Sequence, residues 1–370
     1  MSKIYSKKSI IIRVILSILI VIIGVLGFVF QPQIEAKFSS EQVKAFGDAD
    51  FKMYVVDVGQ GDSIFLEFSD NKNMLIDCGK KKESEKLHSF LDEKKVSTIN
   101  YLVYTHPDED HVGGGAMVFE NYNVEVLYRP KVLSITENSE YGNPNSYNIK
   151  SKNGATYDNS IMCAYSENGC QIKYSFMGEE IVGSDYVIKF LSPDEDNYNL
   201  DNNSNAYSCV LMVEVNGKKV LLTGDAESDI EQKMITNYGN YLDADVLKVA
   251  HHGSKTASSA DFLDIVTPDY ALISAGVNNQ WDMPHEEVIE RLNAANISKI
   301  YATNSGSTIS LGILDDGRII VFQNDNSFKF DMVIFVCVLA AGVLLVWGII
   351  IKKPKNKKQT SAQKKKNSKK

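Results

Sequence analysis

The chain has 370 residues, enough for one large domain or two smaller ones, and its hydrophobic share of 44% provides ample material for a core. The central part, residues 38–351, contains 24 basic and 46 acidic residues and so carries a net charge of −22. A surface this acidic repels a phosphate backbone, which proteins usually bind through Lys and Arg. The composition therefore argues against a general nucleic-acid-binding domain, and a nucleic-acid substrate would require local basic residues or a metal ion.

Two apolar segments stand apart from this acidic centre. Residues 14–30 read "VILSILIVIIGVLGFVF" after a basic start, and residues 332–351 read "MVIFVCVLAAGVLLVWGIII" without any charge. About 20 apolar residues are enough to cross a bilayer, so we predict a transmembrane helix at 331–351. We interpret residues 1–30 as a transmembrane anchor or signal anchor. The alternative is a cleavable signal peptide, but the apolar run exceeds the typical ~7–15 residues and no A-x-A-like site follows it.

The orientation of these segments follows from their basic flanks. Lysines precede the first segment and fill the tail 352–370, and such flanks stay on the cytoplasmic side. We therefore expect a protein of the cell membrane with both termini cytoplasmic and an extracytoplasmic central domain. The tail either lies against anionic lipid headgroups or is a solvated segment without a role. On the oxidising side, Cys163 and Cys170 form a plausible disulfide, although sequence alone cannot fix the pairing.

The first half of the central part alternates between strand and turn patterns. A polar linker with some helix, residues 31–50, is followed by "FKMYVVDVGQGDSIFLEF", two strands broken by Gly59-Gln60-Gly61. Next come a strand "NMLIDCG", a helix "ESEKLHSFLDEKK" with His88 on its surface, and the strands "INYLVY" and "VEVLYRP". The Asn/Ser/Tyr-rich stretch 133–180 has only a weak pattern.

The second half predicts strands that alternate with helices. It begins with a strand "DYVIKFLSP" and a hairpin "CVLMVEVNGKKVLLTGD", whose Asn216-Gly217 suits a tight turn. The following helices are expected at 227–238, near 259–266 and at 285–295, separated by the strands "ADVLKVA" and "DYALISAG" and followed by "KIYAT", "TISLGIL" and "RIIVFQ". This order predicts an α+β fold, with two mixed sheets packed together and helices outside.

Five of the six histidines fall in three clusters, and each cluster follows a predicted strand. His106 and His111 lie in "THPDEDHVGGG", His251 and His252 are adjacent, and His285 comes later. Asp225 ends another strand in the same way. Loops at one edge of a rigid sheet can bring such side chains together, and imidazole with carboxylate is a metal-ligand set. The alternative for the first motif is a polar loop capped by Asp before a helix.

The motifs quoted above, taken in their order along the chain, resemble those of the metallo-β-lactamase superfamily with its H-x-H-x-D-H signature. They resemble more closely those of the ComEC-type domain of DNA-uptake proteins. The resemblance implies an αββα four-layer sandwich over residues 51–325, which the two predicted transmembrane helices would flank. It also implies metal ligands at His106, Asp108, Asp110, His111 and Asp225, whereas His251, His252 and His285 would supply the remaining ligands or contact the substrate. Asp225 would bridge two metals, and the catalytic residues would be Asp110, His252 and Lys255.

Several features depart from the superfamily pattern. Asp108 stands where the superfamily most often has histidine, and no histidine occurs between His111 and His251. One metal position is therefore richer in oxygen ligands, which leaves the metal open between Zn²⁺ and Mn²⁺ and the number of ions between one and two. Asn202 and Asn205 lie where the missing ligand is expected, but ordinary loop residues are the preferred reading. For Asp57, Gln60 and Asp62 of "DVGQGDS" we prefer a turn that holds other residues in place.

The predicted function is a membrane-anchored extracytoplasmic metal-dependent hydrolase, a ComEC-like phosphodiesterase or nuclease that uses metal-activated water. Ser254, Lys255 and a following helix N-terminus could contact phosphate, or this segment could be a plain helix cap. The alternatives are an ester, lactone or β-lactam hydrolase of the same fold, and a non-catalytic metal-stabilised binding domain. The expected partners are the membrane, a nucleic acid or other phosphodiester substrate, and a separate DNA-uptake channel; the oligomeric state stays open.

Overall fold

The computed structural model describes residues 40–137, 154–167, 169–194, 203–297 and 299–323. The predicted membrane segments, the lysine-rich tail and Asn202 lie outside these residues and stay predictions. In the described ranges, no helix combines the length and apolar character needed to cross a membrane. From Glu41 onward, the described residues belong to one unit that spans Glu41–Ser327.

Fifteen strands occur in the described residues, and most of them match the alternating runs in the sequence. Their bounds are β1 Phe51–Val55, β2 Ile64–Glu67, β3 Asn73–Ile76, β4 Thr98–Val103, β5 Asn123–Arg129, β6 Gln171–Tyr174, β7 Glu180–Val182, β8 Tyr186–Ser192, β9 Val210–Val215, β10 Lys218–Leu222, β11 Val246–Lys248, β12 Tyr270–Ile273, β13 Lys299–Ala302, β14 Ile309–Ile313 and β15 Ile319–Gln323. They form an eight-stranded sheet in the order β15-β14-β1-β2-β3-β4-β5-β6 and a seven-stranded sheet in the order β13-β12-β11-β10-β9-β8-β7.

The helices follow the strands in both halves. They are α1 at residues 40–47, α2 Ser84–Glu93, α3 Glu109–Val112, α4 Gly115–Asn121, α5 Gly154–Ser166, α6 Ser228–Tyr238, α7 Ala260–Val266 and α8 Glu286–Ala294. Short 3-10 turns lie at Lys81–Glu83, Ser204–Tyr207, Gly239–Leu242, His251–Gly253 and Thr303–Ser305.

Alternation along the strands divides the apolar side chains between three buried cores. In β1, Phe51 and Met53 face the core between the two sheets, whereas Tyr54 faces the helices outside, as expected when successive residues point to opposite faces. The outer face of the eight-stranded sheet packs against Leu87 of α2 and other residues of α2, α4 and α5. The seven-stranded sheet packs against Phe262 of α7 and other residues of α6, α7 and α8. The predicted αββα arrangement of layers is confirmed.

The predicted linker contains α1, in agreement with the helix expected there, and its buried Phe46 packs edge-on against Tyr54 and Phe322. Two features differ from the expectations. The weakly patterned stretch 133–180 contains α5 and β6, which its sequence pattern did not predict. Cys163 and Cys170 are free thiols and not a disulfide; both are partly buried against the outer core of the eight-stranded sheet.

Parallel pairing places the ends of the strands that lead to candidate ligands at one edge of each sheet. In the eight-stranded sheet β3 runs parallel to β4, and in the other sheet β10, β11 and β12 are mutually parallel. Asp77 follows β3 directly, and His106 comes shortly after β4. Asp225 and His251 follow β10 and β11 in the same way. The carboxyl ends of these strands therefore deliver the predicted chemistry to one region.

Candidate metal centre

Asp225 lies at the middle of a cluster of four imidazole rings. Its Oδ2 is 3.3 Å from Nε2 of His111, 3.6 Å from Nε2 of His252, 3.7 Å from Nε2 of His251 and 3.8 Å from Nε2 of His106. The structure thus brings together one predicted bridging carboxylate and four of the five clustered histidines. All four rings present the same ring nitrogen, Nε2, to this carboxylate.

The atoms that face inward are buried and unpaired. Nε2 of His106, His111 and His252 and Oδ1 of Asp225 have no hydrogen-bond partner among the described residues. A buried polar atom left without a partner costs about 1–3 kcal/mol, and a chain rarely collects several at one point. A divalent metal ion accepts imidazole nitrogen and carboxylate oxygen as ligands. The donor set of this cluster therefore fits such an ion.

The outward-facing nitrogens, by contrast, have polar partners that orient the rings. Nδ1 of His111 lies 2.7 Å from Asp77 Oδ2, and Nδ1 of His251 lies 3.2 Å from Glu227 Oε1. Nδ1 of His252 is 3.0 Å from the carbonyl oxygen of Ser274. A carboxylate or carbonyl on the far ring nitrogen fixes the tautomer and the direction of a metal-binding histidine. Three rings of the cluster have such a partner.

Asp77 is itself tightly held. Its Oδ1 accepts from the backbone N–H of Thr105 at 2.8 Å, and its Oδ2 accepts from the Thr105 hydroxyl at 2.6 Å. Thr105 directly precedes His106, so the same carboxylate positions the first histidine motif at both ends. This rigid support is typical of a site whose geometry must not relax.

A second carboxylate, Asp62, lies on the Nδ1 side of His252 and is paired with a positive charge. Asp62 Oδ1 is 3.3 Å from His252 Nδ1, and Asp62 Oδ2 is 3.0 Å from Nζ of the fully buried Lys248. The Lys248 ammonium also donates to the carbonyl oxygen of Val249 at 3.0 Å. Because a buried charge requires a partner, Asp62 and Lys248 stabilise each other beside the cluster.

The ligand atoms divide into overlapping groups. One group consists of His106, His111 and Asp225, and another of Asp110, His111 and His252. Asp110 Oδ2 lies 3.6 Å from His252 Nε2. Both groups include His111, whose Nε2 can bind only one ion. They therefore define one centre, and a second ion would have to be held by the remaining rings and carboxylates.

The loop that carries Asp110 is held by the "GQG" turn. The Asp62 N–H donates to the Asp110 carbonyl oxygen at 3.0 Å. Gly61 lies at φ +155, and a Cβ there would lie 2.4 Å from that carbonyl oxygen. Only glycine allows this close approach. The turn therefore positions site residues, the role we prefer from the sequence.

The His251-His252 pair has an unusual backbone. Both residues have positive φ, +50 for His251 and +55 for His252, a region that residues other than glycine rarely occupy. This conformation allows two adjacent rings to approach one carboxylate. Strained backbone of this kind clusters at functional sites.

The electrostatics match a cluster of carboxylates that stay ionised among imidazoles. Burial raises the pKa of Asp225, but the histidines around it, His111 foremost, outweigh burial and hold the pKa well below its usual value. Burial lowers the pKa of His252, but Asp225 and Asp62 outweigh it and raise that pKa to about 10. For His106, burial dominates and the pKa is lowered. The carboxylates thus provide negative charge to hold a cation.

Other predicted residues lie around this cluster without joining its centre. Asp108 precedes α3, with Oδ2 4.0 Å from His106 Nε2. His285 Nδ1 accepts from the Lys255 N–H at 3.1 Å, and His285 belongs to none of the ligand groups found in the described ranges. Lys255 itself is exposed. The roles of His285 as a ligand and Lys255 as a catalytic group stay predictions.

The helix that follows Lys255 has its N-terminus already occupied. Ser259 Oγ accepts from the Phe262 N–H, and Glu231 accepts from the N–H groups of Ser258 and Ser259, the latter at 2.9 Å. A buried carboxylate in this position satisfies the donors that a phosphate would otherwise use. Of the two readings for this segment, the plain cap is therefore the one that the contacts favour.

Sequence reasoning missed the residues that support the ligands. Asp77 ends the strand "NMLID", so the rule that singled out Asp225 would also have selected it. Lys248 is a charge inside the apolar run "VLKVA", which signals a buried ion pair. Glu227 and Ser274 carry no signal of their own, because their contacts depend on how the loops fold.

The chain belongs to the metallo-β-lactamase superfamily, whose sequence profile matches residues 56–172 and 202–277, together more than half of the chain. More specifically, the domain is of the ComEC type. It is 30% identical over 272 residues to ComE operon protein 3 of Bacillus subtilis (strain 168), covering 69% of this chain and 32% of that protein.

A second relative, competence protein ComA of Neisseria gonorrhoeae, is 29% identical over 279 residues, covering 75% of this chain and 34% of that protein. The chain thus spans about a third of the length of these relatives. Among solved structures, the metallo-beta-lactamase fold protein YhfI from Bacillus subtilis is similar with a TM-score of 0.42 and 11% identity, covering 68% of this chain and 95% of that one.

Proposed function

We propose that the domain is a metal-dependent phosphodiesterase that cleaves nucleic acid. The observation that carries the proposal is the convergence of four imidazole Nε2 atoms on Asp225 Oδ2 within 3.3 to 3.8 Å, three of them buried and unpaired. The Asp110 carboxylate adds a further possible ligand beside His111 and His252.

In this function, the residues of the centre would hold the ions and orient the rings that bind them. Asp77, Glu227 and Asp62 orient the rings of His111, His251 and His252 respectively. Divalent ions bound by these rings would lower the pKa of a water and stabilise charge on the attacking and leaving oxygens of a phosphodiester. Asp110, on the loop gripped by the "GQG" turn, is the carboxylate best placed to orient that water.

The similarity to proteins named for competence supports a nucleic-acid substrate. Membrane anchoring and an extracytoplasmic position belong to the same proposal, and they rest on the two apolar segments and their basic flanks. Protease added outside intact cells should digest the central domain, whereas a protected domain would contradict this orientation.

The test of the activity uses the full-length chain in detergent, stripped of metal and reloaded with Mn²⁺ or Zn²⁺. Its substrates are single-stranded DNA, double-stranded DNA and bis-p-nitrophenyl phosphate, with a lactone and a cephalosporin beside them. We expect metal-dependent cleavage of phosphodiesters that Asp225→Asn abolishes. Asp316→Asn, at an exposed carboxylate that pairs with Arg318, serves as the matched control and should retain activity. Cleavage of the lactone or cephalosporin alone would contradict the proposal.

A further inference from the structure

A loop between β12 and α8, residues 277–284, presents an aromatic ring to solvent beside the metal centre. Trp281 is 43% exposed, and the neighbouring Val277 is exposed as well. The loop nevertheless has defined anchors: the Asn279 side-chain oxygen accepts from the N–H groups of Trp281 and Met283 at 3.2 and 3.0 Å. The exposed ring on this anchored loop is not part of a core and is accessible to a ligand.

Contacts at both ends tie this loop to the residues around the centre. Gln60 Oε1 accepts from the Gly276 N–H at 2.9 Å, and Gln60 lies in the turn that grips Asp110. At the other end, a Cβ on Gly253 would lie 2.5 Å from the Cβ of Pro284. Gly253 directly follows His252. The loop is therefore held between the two motifs that supply ligands.

A basic residue lies over the exposed ring. Lys80 Nζ is 4.4 Å from the ring centroid of Trp281, within the range of a cation–π interaction. The preceding Gly79 donates its N–H to the Asp62 carbonyl oxygen at 2.8 Å. The backbone of Lys80 therefore lies close to Asp62, whose side chain contacts His252. Lys81 and Lys82 continue the run, and Lys82 Nζ lies 3.7 Å from Glu83 Oε1. Lys80 thus places a positive charge beside the exposed ring, on a domain that is otherwise strongly acidic.

We propose that Trp281 and Lys80 form a binding site for one unpaired nucleobase and its neighbouring phosphate, which makes single-stranded nucleic acid the preferred substrate. The proposal rests on the phosphodiesterase function above. Aromatic side chains stack on every base, and lysines track the backbone in proteins that bind single strands. Bases in a duplex are already stacked on one another, so a single exposed ring at the rim of the site selects against the duplex.

The test measures binding separately from cleavage. A fluorescent, hydrolysis-resistant phosphorothioate oligothymidylate and an abasic strand of the same length and charge are titrated with the full-length, Mn²⁺-loaded protein. The wild-type protein should bind the oligothymidylate about tenfold more tightly than the abasic strand, the scale of one stacked base. Trp281→Leu should lose this preference, and Trp281→Phe should keep most of it.

The outcomes separate the two proposals. Equal wild-type affinity for both strands, absence of binding to either, or an unchanged preference in Trp281→Leu would overturn the stacking site. Hydrolysis of bis-p-nitrophenyl phosphate by the same wild-type preparation decides the phosphodiesterase function independently. Because Trp281 is exposed, the variants should keep the metal content and circular dichroism of the wild-type protein, which excludes misfolding as the cause.

Discussion

Two clusters of buried charge in the described part of the chain, one around Arg129 and one around Asp225, are built differently. Around Arg129 the charges pair off: the guanidinium forms an ion pair with Glu137 and donates to the Val132 carbonyl oxygen at 2.9 Å and the Tyr157 hydroxyl at 3.1 Å. Around Asp225, four imidazoles surround one carboxylate, and several inward-facing atoms have no partner. The first cluster leaves one donor, Arg129 Nε, without a partner among the described residues, whereas the second leaves three imidazole nitrogens and a carboxylate oxygen.

The comparison shows that buried charge alone does not identify a functional site. Glu137 also accepts from the Ser134 N–H at 2.7 Å and the Tyr165 hydroxyl at 2.8 Å, so its oxygens are satisfied by the fold itself. At Asp225 the unsatisfied atoms all point to one volume. Convergence of unpaired ligand atoms, and not burial, is therefore what distinguishes a candidate metal centre from a structural ion pair.

The largest expected effect comes from Asp225→Asn, which keeps the shape of the side chain and removes its charge. Mn²⁺ and Zn²⁺ affinity, measured by isothermal titration calorimetry, should fall by more than the ~10–100-fold typical of losing an outer-shell partner. Glu137→Gln is the matched change in the other cluster and should leave metal affinity unaltered. Equal losses in both variants would erase the distinction between the clusters.

Arg129→Met tests the other side of the comparison. It removes one partner of a buried ion pair and leaves Glu137 uncompensated, which typically costs about 3–5 kcal/mol. We expect a loss of this size in the free energy of unfolding, measured by urea denaturation of the metal-free protein. A variant as stable as the wild-type protein would show that the Arg129 cluster does not support the fold.

Metal removal should destabilise the protein through the Asp225 centre alone. Free ion at 100 times its Kd stabilises a folded protein by about 2.7 kcal/mol, so metal addition should raise the Tm of the wild-type chain. Arg129→Met should show the same rise from a lower starting Tm, and Asp225→Asn should show none. A rise of equal size in Asp225→Asn would place the stabilising ion elsewhere.

The smallest effect is expected for the outer partner Asp77. Asp77→Asn keeps a hydrogen-bond acceptor near His111 but removes the charge, and metal affinity should fall by about 10–100-fold. The titration used for Asp225→Asn measures it. Unchanged affinity would mean that the Asp77 contact at 2.7 Å does not orient the ring.

Much of this centre could be predicted from sequence, because strands that end in His or Asp carry their own signal. His106, His111, Asp225, His251 and His252 were all identified that way, and the two-sheet fold followed from alternation. Asp62 was singled out as a turn residue, but its contact with Lys248 required the tertiary structure, since the two come from different sheets. Helix α5 escaped prediction because its Asn/Ser/Tyr-rich sequence shows little periodicity.

Anomalous scattering from a crystal of the Mn²⁺-loaded protein would test the central claim most directly. We predict one or two strong peaks among the side chains of His106, His111, Asp225 and His252, with at least one peak within about 2.0–2.2 Å of an Asp225 oxygen. A fully loaded crystal with no peak beside Asp225, or with its peaks only at surface carboxylates, would contradict the assignment of this cluster as a metal centre.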